Sequence, residues 1–269
     1  MKIDAFLIGA PRCATTKIIN CMYNNIHICP SHPKELKFFS IHYPKGGEEL
    51  QKYYDVDENS CKFPEVFIYS NPIDCNMDYV RDRIYHHNPF AKIIMGVRNP
   101  IKRAISHWGI HRYKLPIGRV KTIWDEFDEN VKTFSLSKFK SEGDFIPYCN
   151  EYGSCYIPQY LECSMYGNMM LKYSCFPSIH VYDFDEVQKD FVKEYSKILK
   201  YLGLKTQNIV DTNSNNSLLS HGSDINIDEL AEEFKKRYPD IVNLFMMDAC
   251  LLDKLTNYKF KFFEKWFTK

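Results

Sequence analysis

The chain has 269 residues, of which 45% are hydrophobic, 26% charged and 15% aromatic. That is enough apolar material for a substantial core, and it excludes an intrinsically disordered chain. No run approaches the roughly 18–20 apolar residues of a membrane-spanning helix, and 35 basic against 34 acidic residues give a net charge of +1, without the basic excess of a general nucleic-acid binder.

In chain order, the apolar run 3–9 predicts a buried strand, and 15–24 a helix after a short loop. A loop-rich stretch carrying Pro30, Pro33, Pro44, Gly46 and Gly47 follows. A short strand is expected at 66–69, a helix at 77–86, and a central parallel strand at 91–97, where the run AKIIMGV is nearly continuous in apolar residues. Pro100 suits the first turn of a helix running to 112. The segments 123–134 and 157–173 read as helical, and 178–182 as a strand. A long amphipathic helix is expected over 186–202, stopped by Gly203. A polar loop over 211–224 leads to helices at 228–237 and 239–255. The aromatic run 259–266 is expected to pack on the core.

Strands alternating with helices give a single α/β domain over 1–269, its sheet mainly parallel and flanked by helices. Ligands of such sheets bind beyond the C-terminal strand ends, which directs attention to the loops after Gly9 and Val97. The 10 cysteines include no C-x-x-C pair, so most are expected to be reduced and packed as small apolar side chains. The N-terminus has no signal-peptide pattern, which favours a cytoplasmic protein, with a luminal catalytic domain trimmed of its anchor as the alternative.

The first loop, Gly9-Ala-Pro-Arg-Cys-Ala-Thr-Thr-Lys17, sits between a strand and a helix. Amides at such a helix start favour an anion, and Thr15, Thr16, Arg12 and Lys17 add donors and charge. It is P-loop-like without being a Walker A motif, since Ala14 and Thr15 stand where Gly-Lys would be needed. In the second loop Arg98 leaves the end of an apolar strand, and Ser106 follows eight residues later on a helix. A guanidinium fork and a short hydroxyl can bracket one phosphate.

Together the loops resemble those of the PAPS-dependent sulfotransferases. G-x-P-R-x-x-T-T resembles their 5′-phosphosulfate loop, and R-N-P-x-x-R-A-x-S-x-W, from Arg98 to Trp108, their 3′-phosphate motif. The stretch His32-Pro33-Lys34-Glu35-Leu36-Lys37-Phe38-Phe39 is similar to the K-E-x-x-F-F segment of the heparan-sulfate-type (carbohydrate) branch. The resemblance implies the sulfotransferase fold, the donor 3′-phosphoadenosine 5′-phosphosulfate (PAPS) and the product adenosine 3′,5′-bisphosphate (PAP), with no metal. By position it puts Arg12, Cys13, Ala14, Thr15, Thr16 and Lys17 at the 5′-phosphosulfate, and Arg98 and Ser106 at the 3′-phosphate. Arg12 would stabilise charge on the bridging oxygen, and Glu35 would be the general base. The implied acceptor is a hydroxyl or amine of a small molecule or carbohydrate.

Rival readings are a nucleotide-dependent kinase and an inactive nucleotide-binding protein of the same fold. His32, His42, His86 and His87 are rival bases, and His107 with His111 has the spacing of a metal pair but lacks the Glu of H-E-x-x-H. Two departures from the family pattern stand out. Ala14 replaces a usual Gly, and Ser70-Asn71-Pro72 lacks the Lys of K-[ST]-P.

Overall fold

Two strands buried along their whole length set the frame: β1 (Ala5–Gly9), and β4 (Lys92–Val97), where only the first residue is partly exposed. They belong, with β2 (Ile28–Pro30), β3 (Val66–Ser70) and β5 (Ile179–Asp183), to one sheet of order β2-β3-β1-β4-β5. Every pairing in it is parallel. The computed structural model describes residues 1–43, 47–54, 65–114, 121–136, 140–141, 143–145, 159–206 and 225–268.

The pleat sorts side chains between the two faces. Phe6, Ile8, Ile93 and Met95 join one core, while Ala5, Leu7 and Ile94 join the other. Helix α1 (Thr15–Tyr23) covers the second face. In chain order follow α2 (Gly47–Lys52), α3 (Asp78–His87), α4 (Pro100–Lys114), α5 (Ile123–Lys132), α6 (Tyr166–Lys172), α7 (Phe184–Lys189), α8 (Phe191–Leu202), α9 (Ile227–Arg237), α10 (Pro239–Leu255) and α11 (Phe262–Phe267). Helix α8 shares the α1 face, and Val80, Ile84, Met169, Leu252 and Phe262 from α3, α6, α10 and α11 close the other. A third cluster joins α4, α5, α9 and α10 through Ile105, Phe127, Phe234 and Phe245.

The expected α/β architecture holds, with corrections in the connections. The first helix ends at Tyr23, and the helix after β4 runs on to Lys114. The predicted helix over 186–202 is two helices. Asp190 sits at φ −150° between them and caps the second through Lys193 N, at 3.0 Å. The predicted helix over 157–173 is also not continuous; residues 157–158 lie outside the described residues, and the rest holds a 3₁₀ turn at Glu162–Ser164, then α6, then a 3₁₀ turn at Tyr173–Cys175. Its break has a distant cause: the Asp248 carboxylate, on α10, accepts from Gly167 N and Asn168 N at 2.8 Å each and starts α6 anew. The polar segment 211–224 lies outside the described residues.

The thiols of Cys13, Cys21, Cys29, Cys75 and Cys163 are buried, and those of Cys175 and Cys250 are exposed. The aromatic C-terminal run packs on the core as expected, with Phe262 and Trp266 stacked at 4.6 Å. Among the described residues no helix is long and apolar enough to cross a membrane.

Candidate active site

Strand β3 lies on one side of β1 and β4 on the other, so the chain direction through the sheet switches at β1. In such sheets ligands bind beyond the strand ends at a switch of this kind. Both loops singled out in the sequence begin at that rim, and Ala10 N donates to Gly96 O at 3.0 Å to tie them.

Gly9 makes the turn out of β1 at φ +146°, a conformation that L side chains rarely adopt. A Cβ there would stand 2.6 Å from the Pro72 carbonyl oxygen and 2.9 Å from Cys75 Cβ. Gly9→Ala is therefore expected to destabilise the protein by about 2–3 kcal/mol, read as a lower urea midpoint with unchanged slope. An unchanged midpoint would mean that Pro72 and Cys75 yield freely.

Beyond Gly9 the loop is held from behind. Tyr182 OH donates to Cys13 O at 2.8 Å, and the buried Cys13 Sγ lies 4.0 Å from Tyr166 OH. Burial pushes the Cys13 thiol up to about 11, so it is a packing group and not a nucleophile. Ala14 adopts the left-handed conformation, φ 61° and ψ 16°, which glycine would take without penalty. Its methyl is buried with Leu7 and Ile18, which offsets part of that cost. Helix α1 then starts at Thr15 with no side-chain cap and no acid in its first turn. Its first amides have no partner within the helix, and its dipole favours an anion at the loop.

Arg98 leaves β4 and donates to the Arg12 carbonyl at 3.4 Å, with its guanidinium 4.2 Å from the Phe184 ring centre. Arg12 Nε donates to Ser106 Oγ at 3.1 Å. Arg12, Arg98 and Ser106, separated by up to 94 positions, thus form one cluster. Burial, then the nearby Arg98 charge, pulls the Arg12 guanidinium down to about 10, which leaves it cationic at neutral pH. Burial lowers Arg98 as well. Glu35 counters the pull on Arg12, which puts its charge within reach of this cluster. Two largely desolvated arginines beside an uncapped helix start favour a polyanion.

The lysines part company. Lys17 turns onto the Phe191 ring, 4.3 Å from its centre. Lys34 reaches across from the segment after β2, donating to Thr16 Oγ1 at 2.5 Å and lying 3.4 Å from Glu35 Oε1. Of the rival bases, His87 is occupied at the opposite rim, where its Nε2 accepts from Ile3 N at 3.0 Å.

A family model described as "Sulfotransferase domain" matches residues 2–238. The chain belongs to the sulfotransferase family. A sulfotransferase from Alicyclobacillus acidocaldarius superposes with a TM-score of 0.62 at 16% identity, covering 95% of this chain and 96% of that one. The mouse sulfotransferase SULT7A1, solved in complex with PAP, superposes with a TM-score of 0.51 at 18% identity, covering 94% of this chain and 89% of its own. No curated protein matches this chain in sequence. Both superpositions bear on the sulfotransferase fold.

The family match stops at residue 238, and the last helix packs against elements inside the matched region. Trp266 packs on Tyr166 at 5.8 Å, and Lys265 pairs with Asp183, at the end of β5, and with Asp185 at 3.0 Å. Sequence reasoning gave no role to Arg103, which is fully buried under the first loop. It donates to Pro11 O at 3.4 Å and to Ser164 Oγ at 2.7 Å. His107, one of the two histidines with metal-pair spacing, lies with its Nδ1 3.2 Å from the same guanidinium, and His111 Nδ1 lies 2.8 Å from Tyr160 OH. Among the described residues no group of three or more His, Cys, Asp or Glu is placed to hold a metal ion.

Proposed function

We propose that this chain moves a sulfuryl group from PAPS to a hydroxyl or amine of a small-molecule or carbohydrate acceptor. The observation that carries the reading is the joining of Arg12, Arg98 and Ser106 at the uncapped start of α1. A donor with phosphate at both ends of an adenosine needs two anion sites in one crevice. Residues 12–17 supply the amides and hydroxyls for the 5′ end, and Arg98 with Ser106 supplies a fork and a hydroxyl for the 3′-phosphate. The PAP found with SULT7A1 supports the same donor here.

Transfer is in line. The acceptor proton passes to the Glu35 carboxylate, the acceptor atom bonds to sulfur, and the bond from sulfur to the bridging oxygen breaks. Positioning and charge stabilisation dominate such a step, as they do in phosphoryl transfer. The Lys34 contact with Thr16 brings the K-E-x-x-F-F segment to the donor loop, which supports the carbohydrate-type branch and Glu35 as base.

Calorimetric titration tests the donor. PAP is expected to bind wild type, with ATP and 5′-AMP markedly weaker. Arg98→Ala is expected to weaken PAP by about tenfold to a hundredfold, the worth of one charge-assisted contact or more. Preference for ATP, or an Arg98→Ala variant that binds PAP like wild type, overturns the assignment.

A further inference from the structure

The contacts of one lysine on the last helix go beyond this reading and rest on it. We propose that Lys265 is a positioning residue for the 3′-phosphate site, acting by holding the Asp185 carboxylate away from the Arg98 guanidinium.

Arg98 and Asp185 meet beside one ring. The chain leaves β5 as Asp183-Phe184-Asp185, and α7 begins there. The Arg98 guanidinium lies over the Phe184 ring, 4.2 Å from its centre, so a carboxylate follows and another precedes the residue it covers. Burial lowers the Arg98 guanidinium, and the Asp185 charge counters part of that fall, which puts Asp185 within electrostatic reach of it.

Lys265 engages both carboxylates. Its Nζ donates to Asp183 Oδ2 and lies 3.0 Å from Asp185 Oδ2. Asp183 is fixed in place: its side chain is 3% exposed, and its Oδ1 accepts from Asp185 N at 2.9 Å. The Asp185 side chain is 49% exposed and has room to turn. Without the ammonium, a rotatable carboxylate stands next to a largely buried guanidinium. The two would pair, and a phosphate would have to displace the carboxylate to reach Arg98. Lys265 also leaves itself and the two acids with one net negative charge in place of two, beside the cation that meets a phosphate dianion.

The lysine is presented from a firm support. Asp253 on α10 accepts from Phe262 N at 2.7 Å and from Phe263 N at 2.9 Å, which caps the start of α11. Phe262 and Trp266 are buried in the core that also takes Cys13, Val97 and Tyr166. Trp266 packs on Tyr166, whose hydroxyl meets the backbone of Arg98. Helix α11 therefore braces Arg98 from two directions, its backbone through Trp266 and Tyr166 and its side chain through Lys265. The helix lies beyond residue 238, where the family match ends.

The test uses ligands with and without a 3′-phosphate. Wild type, Lys265→Met, Lys265→Arg and the double variant Lys265→Met/Asp185→Asn are titrated with PAP, 3′-AMP and 5′-AMP. Lys265→Met is expected to weaken PAP and 3′-AMP by about tenfold and to leave 5′-AMP within about twofold. Lys265→Arg keeps the cation and should bind PAP within about threefold of wild type. Asp185→Asn removes the competing carboxylate, so the double variant should recover most of the loss, although Asp183 still lacks its partner. In ³¹P spectra of bound PAP, Lys265→Met should move the 3′-phosphorus resonance and not the 5′ one. A lysine that only holds the fold gives another pattern: a lower urea midpoint, equal losses for 3′-AMP and 5′-AMP, and no recovery in the double variant. Equal losses or a failed recovery overturn the proposal, and so does unchanged PAP affinity in Lys265→Met. If wild type binds no PAP at all, the donor assignment itself fails, a result distinct from failure of Lys265 alone.

Discussion

Arg103→Ala is expected to destabilise the fold by about 3–5 kcal/mol, a fall of roughly 10 °C in Tm, and to abolish tight PAP binding. The side chain is fully buried and sits where three segments meet. Its Nε serves Ser164 Oγ at 2.7 Å, one terminal nitrogen serves Pro11 O and His107 Nδ1 at 3.4 and 3.2 Å, and the other serves Tyr160 O. Burial, then the charges of His111 and Arg103, hold the His107 pKa well below its ordinary value, so a neutral imidazole can accept from the guanidinium. Truncation opens a cavity and takes the guanidinium donor away from the Pro11 and Tyr160 carbonyls. One of those carbonyls belongs to Pro11, beside Arg12, so the loop loses its support with the fold. Lys is no substitute, because a single ammonium cannot point along the guanidinium's separate directions. Arg103→Met fills the volume without the hydrogen bonds, and should recover part of the stability but little of the PAP affinity. Urea unfolding and calorimetry read both. A wild-type midpoint for Arg103→Ala would show that the loop does not depend on this guanidinium.

The role of Arg103 marks where sequence reasoning stopped. Strands β1 and β4 were legible because both their faces are covered, and a run apolar at every position can be little else. Strand β2 escaped because it is three residues, Ile-Cys-Pro, and Pro30 reads as a loop signal. The break at Asp190 was within reach, since a capping Asp stood inside the predicted helix, but the amphipathic period ran through it. The start of α6 was not within reach, because its cap comes from Asp248, 80 positions away. The site divides in the same way. Motifs along the chain pointed to Arg12, Arg98 and Ser106, and the fold gathers them. Which way each long side chain turns depends on neighbours brought from afar, namely Ser106 for Arg12, Phe191 for Lys17 and Thr16 for Lys34.

Glu35→Gln is expected to lower kcat by about a hundredfold to ten-thousandfold while PAP affinity stays within about threefold. The substitution keeps the shape and takes away the negative charge and the capacity to accept a proton. Glu35 is 46% exposed, and surface changes of this kind move stability by about 0.5 kcal/mol or less, so lost turnover will not reflect lost fold. Its contact with Lys34, at 3.4 Å, is long for a hydrogen bond, so the carboxylate keeps oxygen lone pairs for an acceptor. Without it the acceptor must attack with its proton in place, and in-line geometry alone supplies the remaining rate. The measurement pairs transfer of ³⁵S from labelled PAPS, across a panel of hydroxyl and amine acceptors, with calorimetry of PAP. Turnover of Glu35→Gln above a tenth of wild type would place the base elsewhere in the crevice. A fall in PAP affinity matching the fall in rate would make Glu35 a donor-site support. Loss of rate with PAP still held at wild-type affinity is the outcome expected for a proton-transfer role of Glu35, because the fold and the donor site are then intact.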